Sequence, residues 1–218
     1  MTGEKKNRIA VVDYDAGNIK SVVQAVNLVG ENVEVAVTSD EEVIRAADHI
    51  ILPGVGAFGD AMKRLERTGL TEVLREEISA GKPFLGICLG MQVLFDESEE
   101  SPGVKGLSVL HGRIRRIPEG DGRKVPQIGW NRLSFPNPSR LFDEAFLAKD
   151  PGCADPYAYF VHSYYLEAED PSVVAATCEY GVTIHAAVES GNLYACQFHP
   201  EKSDRFGLTI LYHFLNHL

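Results

Sequence analysis

A cysteine flanked by two glycines is the first feature of this chain that could do chemistry. Cys88 lies in the run Gly-Ile-Cys-Leu-Gly and follows an apolar segment typical of a buried strand. Met91, Leu94 and Phe95 then recur at helical spacing, which predicts a helix directly after it. This is the pattern of a nucleophile elbow that carries sulfur in place of serine, and the helix dipole would favour a thiolate. A buried structural cysteine fits the pattern equally well.

A second cluster, near the C-terminus, offers a base for that thiol. The run from Leu193 predicts a strand that ends in Phe-His-Pro-Glu, with His199 and Glu201 two residues apart. In extended backbone, side chains at this spacing point to the same side, so Glu201 can reach the His199 ring. A catalytic thiol needs a base, and the base needs a group that fixes its orientation. The two clusters together predict a Cys88–His199–Glu201 triad.

Composition limits the classes of protein to consider. The chain has 218 residues, 44% of them hydrophobic and 24% charged, which fits one globular α/β domain. A formal net charge of −10 argues against a nucleic-acid partner, because phosphate binding needs a basic face. The sequence contains no apolar run of membrane-spanning length, and its N-terminus is too polar for a secretory signal. We therefore expect a cytoplasmic protein without membrane contact.

Cysteine usage also favours a reduced, cytosolic compartment, which is the default where no Cys-x-x-Cys pair occurs. Cys178 and Cys196 lie in apolar runs and are expected in the core, whereas Cys153, flanked by turn residues, is expected in an exposed loop. A zinc site built from Cys196, His185 and His199 lacks ligand spacing. We predict no metal and no cofactor.

The order of elements predicts the fold class. Strand and helix patterns alternate through the first half, which predicts an open, mostly parallel sheet flanked by helices, with a crevice at the carboxyl ends of the strands. Residues 107–135 suggest a small antiparallel section, followed by a short helix over 139–147, more strands from 157 and a closing helix over 204–218. We expect a hydrophilic extension over 1–8 and a single domain over 9–218.

At this point the chain resembles a known family. Gly86–Gln92 and Phe198–Glu201 are similar to the nucleophile and base motifs of the class I, triad-type glutamine amidotransferases. Further segments narrow the resemblance to the glutaminase subunits of imidazole glycerol phosphate synthases, and they occur in the expected order: Asp13–Val22, Leu52–Phe58, Gly129–Asn131, Phe160–Tyr164 and Glu201–Ser203. The resemblance implies a flavodoxin-like glutamine amidotransferase fold for the domain.

The resemblance also implies roles for particular residues. Cys88 would carry a γ-glutamyl thioester, His199 would be the acid and base, and Glu201 would orient it. Leu89, directly after the nucleophile, would donate one backbone N–H to the oxyanion, and the loop at Val55 and Gly56 would donate another. A peptide flip near Val55 would complete this hole. Glutamine would be held by Gly54, Gln92, Ser163 and Tyr164, with Glu100 a weaker candidate because its run of acids is typical of a solvated helix end.

The partner implied by the resemblance is a (β/α)₈-barrel cyclase that uses the released ammonia. Asn18, Trp130, Tyr159 and Lys202 lie in motifs that the resemblance assigns to this interface. For Trp130, packing in the core is an equal alternative, and Lys202 could be an ordinary solvated lysine. Three rivals stay open: a glutaminase subunit that serves another synthase, a stand-alone γ-glutamyl hydrolase, and a flavodoxin-like redox or binding module.

Overall fold

The alternation predicted for the first half of the chain is present in a computed structural model, which describes residues 6–15, 17–120 and 122–218. The strands are β1 (Asn7–Val12), β2 (Val33–Thr38), β3 (His49–Gly54), β4 (Phe84–Cys88), β5 (Glu97–Ser98), β6 (Gly112–Arg116), β7 (Gln127–Arg132), β8 (Tyr157–His162), β9 (Tyr164–Ala168), β10 (Val174–Glu179), β11 (Thr183–Ser190) and β12 (Leu193–Cys196). The helices are α1 (Ile19–Val29), α2 (Glu41–Ala46), α3 (Phe58–Arg67), α4 (Leu70–Ser79), α5 (Leu89–Gln92), α6 (Glu144–Leu147) and α7 (Asp204–His217). Short 3₁₀ turns cover Pro151–Cys153, Pro171–Val173 and Pro200–Lys202.

The main sheet joins a parallel half to a mostly antiparallel half in the order β2-β1-β3-β4-β12-β11-β9-β6-β5, with β10 paired to β11 and a parallel pair β6–β5 at the edge. The pairs from β2 to β12 are parallel, and the pairs β12–β11, β11–β9 and β9–β6 are antiparallel. Strands β7 and β8 form a separate two-stranded antiparallel sheet. The predicted α/β fold with a small antiparallel section is therefore confirmed.

Alternation along the strands distributes the core over both faces of the sheet. On β1, Ile9 and Val11 pack into a cluster with α1 and α7, while Ala10 and Val12 pack into a second cluster with α2, α3 and α4. Successive side chains of a strand point to opposite faces, so a strand covered by helices on both sides must be apolar throughout. In the described part of the chain, no helix is both long and apolar enough to cross a bilayer.

Two helices are shorter than the sequence pattern predicts. Helix α6 begins only at Glu144, because Asp143 caps it by accepting from the Phe146 amide, while the Ser139 hydroxyl is bound to Glu189. Helix α5 is a single turn that ends at Gln92, although the apolar spacing continues to Phe95. Beyond it, the carbonyls of residues 93 and 94 accept from the amides of residues 107 and 109 and are not available to extend the helix.

The expectation that Cys153 lies in an exposed loop is wrong. Its relative exposure is 7%, and it ends the 3₁₀ turn that follows Asp150. The Asp150 carboxylate accepts from the Gly152 amide and from the side chains of Arg205 and Thr209, both on α7. These bonds pin the segment to α7 and bury the thiol beneath it.

The start of the domain differs slightly from the prediction. Strand β1 begins at Asn7, whose backbone amide donates to the carbonyl of Asn32 and whose side-chain amide donates to the Leu215 carbonyl. Asn7 and Arg8 therefore belong to the folded domain rather than to an extension. The rest of the predicted extension, apart from Lys6, lies outside the described residues.

Candidate active site

Cys88 occupies the sharp turn between β4 and α5. Its backbone has φ 55° and ψ −109°, a conformation that non-glycine residues rarely adopt and that typically costs about 1–3 kcal/mol. The glycines on either side permit this turn, because a Cβ on Gly90 would lie 1.8 Å from the Leu52 carbonyl oxygen and one on Gly86 would lie 2.8 Å from the Gly90 carbonyl oxygen. The sequence therefore folds into the predicted elbow, and the backbone of Cys88 is strained.

His199 and Glu201 lie together, although the local structure differs from the prediction. Strand β12 ends at Cys196, His199 is extended, and Glu201 lies in the following 3₁₀ turn. The His199 Nδ1 is 2.8 Å from the Glu201 Oε1, and both side chains are almost fully buried. The acceptor oxygen requires the proton to be on Nδ1, which leaves Nε2 as the atom that can take a proton from a thiol.

Asn18 belongs to the same cluster. Its side-chain amide donates to Glu201 Oε1 at 2.5 Å and lies 3.4 Å from the His199 Nδ1. The backbone at Asn18 is left-handed, with φ 71°, and the residue directly precedes α1 without capping it by a side-chain hydrogen bond. Asn18 was predicted only as an interface residue, and its amide also orients the carboxylate that orients the histidine.

The environment of His199 favours the charged imidazolium. Burial alone would lower its pKa, but hydrogen bonding and charge from Cys88 and Glu201 outweigh burial and raise the pKa to about 9. The Nε2 atom is buried and has no partner in full hydrogen-bond geometry among the described residues, so the Cys88 thiol influences the ring from nearby without holding it in a formed hydrogen bond. An imidazolium beside a thiol stabilises the thiolate form of that thiol, which is the nucleophile.

A buried amide network lies on the other side of the sulfur. Gln197, with no exposed surface, donates from Nε2 to the Cys88 Sγ at 3.5 Å. The Gln92 Nε2 donates to the Gln197 Oε1 at 2.8 Å and to the Tyr164 carbonyl at 3.0 Å. Sequence reasoning singled out Gln92 and missed Gln197, although Gln197 stands two residues before His199, directly after the end of β12.

The predicted oxyanion loop follows β3, the neighbour of the elbow strand. Gly54 and Cys88 are paired in register at the ends of β3 and β4. A Cβ on Gly54 would lie 2.2 Å from the Tyr14 hydroxyl oxygen and 3.1 Å from the Leu89 Cβ, so Gly54 packs behind the loop against these two residues. Val55 is 38% exposed, and Gly56 has φ +109°, which favours glycine.

A cleft of about 330 Å³ opens beside the sulfur and brings most of the predicted substrate residues together. Its walls are formed by Val55, Gly56, Cys88, Leu89, Gln92, Glu100, Pro126, Val161, His162, Ser163 and Tyr164. Gly54 lies behind this wall, as its contact with Tyr14 requires. The carbonyls of Ser163 and Tyr164 already accept hydrogen bonds from Ile117 and Gln92.

Glu100 is a wall of this cleft and not a solvated helix end, so that expectation is wrong. Its Oε2 accepts from the Phe58 amide at 2.7 Å, and the Ser101 hydroxyl oxygen accepts from the Gly59 amide at 2.9 Å. These two bonds cap the start of α3, directly after the glycine loop. Acidity of the segment was visible in the sequence, but its position across the cleft depends on β5 pairing with β6.

His162 is a second imidazole at the cleft, and it is held neutral. Its Nδ1 lies 2.8 Å from the Tyr164 carbonyl, which can only accept, so Nδ1 carries the proton. Burial lowers its pKa to about 4, and the nearby His199 contributes in the same direction. With so low a pKa, and with no carboxylate partner among the described residues, His162 is too weak a base to compete with His199.

The other predicted interface residues lie on or beside the β7–β8 sheet. Trp130 is 49% exposed and contacts the Tyr159 ring edge-on at 5.9 Å between centroids, so the alternative of a core tryptophan is wrong. Ile128, on the same strand, is 61% exposed. Lys202 is exposed in the 3₁₀ turn next to the triad. An exposed aromatic and aliphatic patch beside a candidate active site is typical of a protein interface.

Comparison with known proteins places this site in a family. Residues 10–218 match the family model described as glutamine amidotransferase class-I. The chain therefore belongs to the class I glutamine amidotransferases, as its elbow cysteine and histidine–glutamate pair led us to expect. The match covers nearly the whole described chain.

Individual relatives narrow the comparison. The chain is 51% identical to imidazole glycerol phosphate synthase subunit HisH of Methanothermobacter thermautotrophicus, over 95% of this chain and 97% of that one. It is 48% identical to the subunit of the same name from Moorella thermoacetica, over 94% of this chain and 93% of that one. Among solved structures, "Structure of PurLQS from Thermotoga maritima" matches with a TM-score of 0.69 and 20% identity, over 97% of this chain and 98% of that one, which supports the fold.

Proposed function

We propose that this chain is the glutaminase subunit of an imidazole glycerol phosphate synthase, which acts in histidine biosynthesis. It hydrolyses glutamine to glutamate and ammonia and passes the ammonia to a (β/α)₈-barrel cyclase. The observation that carries the proposal is the elbow thiol Cys88 beside a buried His199–Glu201 pair, in a chain about half identical to subunits of that name. A redox or binding module has no need for this buried base.

The first half of the reaction forms a thioester. The Cys88 thiolate attacks the side-chain carbonyl carbon of glutamine, and the carbonyl electrons move onto oxygen. Backbone N–H groups of Leu89 and of the Val55–Gly56 loop donate to this oxyanion, each typically contributing about 10²–10³-fold in rate. When the tetrahedral intermediate collapses, the bond to nitrogen breaks, His199 donates its Nε2 proton to the leaving nitrogen, and ammonia departs.

The second half regenerates the thiol. His199, now neutral, removes a proton from water, which attacks the thioester carbonyl. Collapse of the second intermediate expels the Cys88 thiolate and releases glutamate, while the imidazolium is re-formed beside the thiolate. Glu201 keeps the ring in one tautomer through both halves, and a positioned acid–base group of this kind contributes about 10²–10⁴-fold.

The cleft supplies complementary charges for the rest of the substrate. The Glu100 carboxylate can pair with the α-ammonium group of glutamine, and the free Oε1 of Gln92 can accept from it, because both donors of the Gln92 amide are used within the protein. The Ser163–Tyr164 segment forms the opposite wall. Ammonia then leaves toward the β7–β8 face, where the patch around Trp130 would be covered by the cyclase.

A glutaminase assay with and without the partner tests this proposal. The purified chain is mixed with the cyclase subunit and the ligand of the cyclase, and glutamate release is measured. We expect low turnover from the chain alone and a clear increase with the liganded cyclase, since the loop at Val55 has to complete the oxyanion hole. Equal turnover in both conditions would contradict the partner dependence, and activation by a different synthase would change the assigned acceptor.

A further inference from the structure

The side chain of Gln197 touches the nucleophile, although the mechanism above gives it no role. Gln197 follows the end of β12, has no exposed surface, and its backbone amide donates to the Ala186 carbonyl at 2.8 Å. Its side-chain Nε2 lies 3.5 Å from the Cys88 Sγ, within the range of a hydrogen bond to sulfur. The sulfur therefore interacts with both the His199 imidazole and the Gln197 carboxamide.

Hydrogen-bond logic fixes which end of the Gln197 amide faces the sulfur. The Tyr164 carbonyl oxygen can only accept, so the Gln92 atom that lies 3.0 Å away must be its nitrogen. That same nitrogen lies 2.8 Å from the Gln197 amide, so the Gln197 atom facing it must be the oxygen. The remaining end of Gln197, which faces Cys88, is then the nitrogen. One backbone carbonyl thus sets the direction of the whole chain of bonds.

We propose that Gln197 stabilises the Cys88 thiolate by donating a hydrogen bond from its side-chain nitrogen, and that Gln92 holds Gln197 in the orientation that makes this possible. The proposal rests on the proposed function only in taking Cys88 as the nucleophile. It makes Gln197 a catalytic residue and Gln92 a positioning residue that acts through it.

The direction of the donor decides its chemical effect. An N–H donor stabilises the forms of Cys88 in which a sulfur lone pair faces the Gln197 nitrogen. These forms are the thiolate and a thiol whose proton points to His199. Both are the productive states. Helix α5 has only one turn, so its dipole gives the sulfur little help, and a side-chain donor supplies what the short helix does not.

The network also joins the substrate wall to the nucleophile. Gln92 lines the cleft with its Oε1, and its nitrogen sets Gln197. A substrate that binds the Gln92 oxygen polarises the amide and strengthens the bonds that its nitrogen donates. Occupation of the glutamine site is therefore expected to favour the thiolate.

The test is the pH dependence of Cys88 alkylation in the full chain. The rate with iodoacetamide is followed by mass spectrometry of the peptide that contains Cys88, in wild type, in Gln197→Leu and in the control Gln127→Leu. Gln127 is equally buried but donates to Asn131 at 2.7 Å. We expect the midpoint of the rate profile in Gln197→Leu to move up by about one pH unit, so that alkylation slows by about tenfold at pH values below the wild-type midpoint, and the control profile to match wild type. Matching profiles for all three proteins would overturn the proposal.

Two further measurements keep the proposal testable if Gln197→Leu fails to fold. Gln92→Leu keeps Gln197 but removes the hydrogen bond that orients its side chain, and we expect a smaller upward shift of the same midpoint. In unmodified protein, the side-chain amide signal of Gln197 in a ¹⁵N spectrum should titrate at the midpoint of Cys88 alkylation, and a signal that is constant with pH would contradict the inference. Alkylation needs no turnover, so these results stand whether or not the chain hydrolyses glutamine.

Discussion

Replacing Glu201 by Gln removes one charge from the triad while keeping its shape. The Gln oxygen can still accept from the His199 Nδ1 at the 2.8 Å position, and from the Asn18 amide. The new NH₂ group takes the place of Oε2, a buried atom that has no hydrogen-bond partner in the part of the chain that the structure describes. The variant therefore isolates the electrostatic effect of the carboxylate on the ring and adds one unsatisfied donor.

The size of the effect on His199 follows from its raised pKa. Burial opposes this rise, but Cys88 and Glu201 together raise the pKa from an ordinary 6.5 to about 9. The whole shift corresponds to about 3 kcal/mol, at about 1.4 kcal/mol per unit. Two partners share it, so we expect Glu201→Gln to lower the titration midpoint of His199 by about one unit or more. A buried NH₂ without an acceptor costs a further ~1–3 kcal/mol of stability at every pH.

The sign of the pH dependence follows from the raised pKa. His199 binds its proton more tightly in the folded state, so its contribution to stability is fully present below pH 6.5 and is lost as pH rises through about 9. The stability gap between wild type and Glu201→Gln should be widest below pH 6.5 and should narrow towards pH 9, where only the cost of the unsatisfied NH₂ is left.

The assay is an NMR titration of the His199 ring in the full chain, combined with denaturant unfolding across the same pH range. The exposed Glu144 on α6 provides a matched control, since Glu144→Gln removes the same charge far from the triad. A midpoint for His199 that is the same in wild type and in Glu201→Gln would refute the electrostatic reasoning. We also expect kcat of Glu201→Gln to fall by about 10²–10⁴-fold in the presence of the cyclase.

Two other substitutions test the elbow and the interface. Gly90→Ala puts a Cβ 1.8 Å from the Leu52 carbonyl oxygen, and neither this backbone oxygen nor the backbone of residue 90 can move away easily. We therefore expect a loss of about 3 kcal/mol in unfolding free energy, measured by denaturant titration. Full stability of the variant would mean that the elbow is not as tight as described. Trp130→Ala should weaken cyclase binding by at least about 30-fold in a calorimetric titration, and Lys202→Ala by less, with glutaminase activity of the chain alone unchanged; undiminished binding by both variants would remove the β7–β8 face as the docking surface.

The sequence was most informative where a local pattern determines a local structure. The continuous apolar run of β1 follows from burial on both faces of the sheet, the spacing of α1 follows from burial of one helix face, and the elbow follows from glycines at positions 86 and 90. His199 and Glu201 were paired correctly, although by a 3₁₀ turn rather than by an extended strand. In each of these cases the pattern within a short segment of sequence was enough to predict the structure.

The errors lie where distant segments decide the outcome. Helix α5 stops at Gln92 because the carbonyls of residues 93 and 94 accept from the amides of residues 107 and 109, and Cys153 is buried because Asp150 binds α7. Glu100 reaches the cleft through the pairing of β5 with β6. Each of these contacts joins residues from two different segments of the chain, so the hydrophobic periodicity within one segment could not predict them.

Gln197 shows the same limit within the site. A glutamine two residues before a catalytic histidine carries no signal by itself, because exposed glutamines are common. Its importance appears only when β4 and β12 are paired, which brings the end of one strand against the nucleophile at the end of the other.

Covalent trapping on Cys88 tests the central claim most directly. The chain, together with the cyclase, is incubated with isotopically labelled glutamine and quenched in acid, and each cysteine-containing peptide is analysed by mass spectrometry. We expect a γ-glutamyl adduct on Cys88 alone, which is lost in Cys88→Ala together with glutamate release. Glutamine hydrolysis that persists in Cys88→Ala, or label on another side chain, would contradict it.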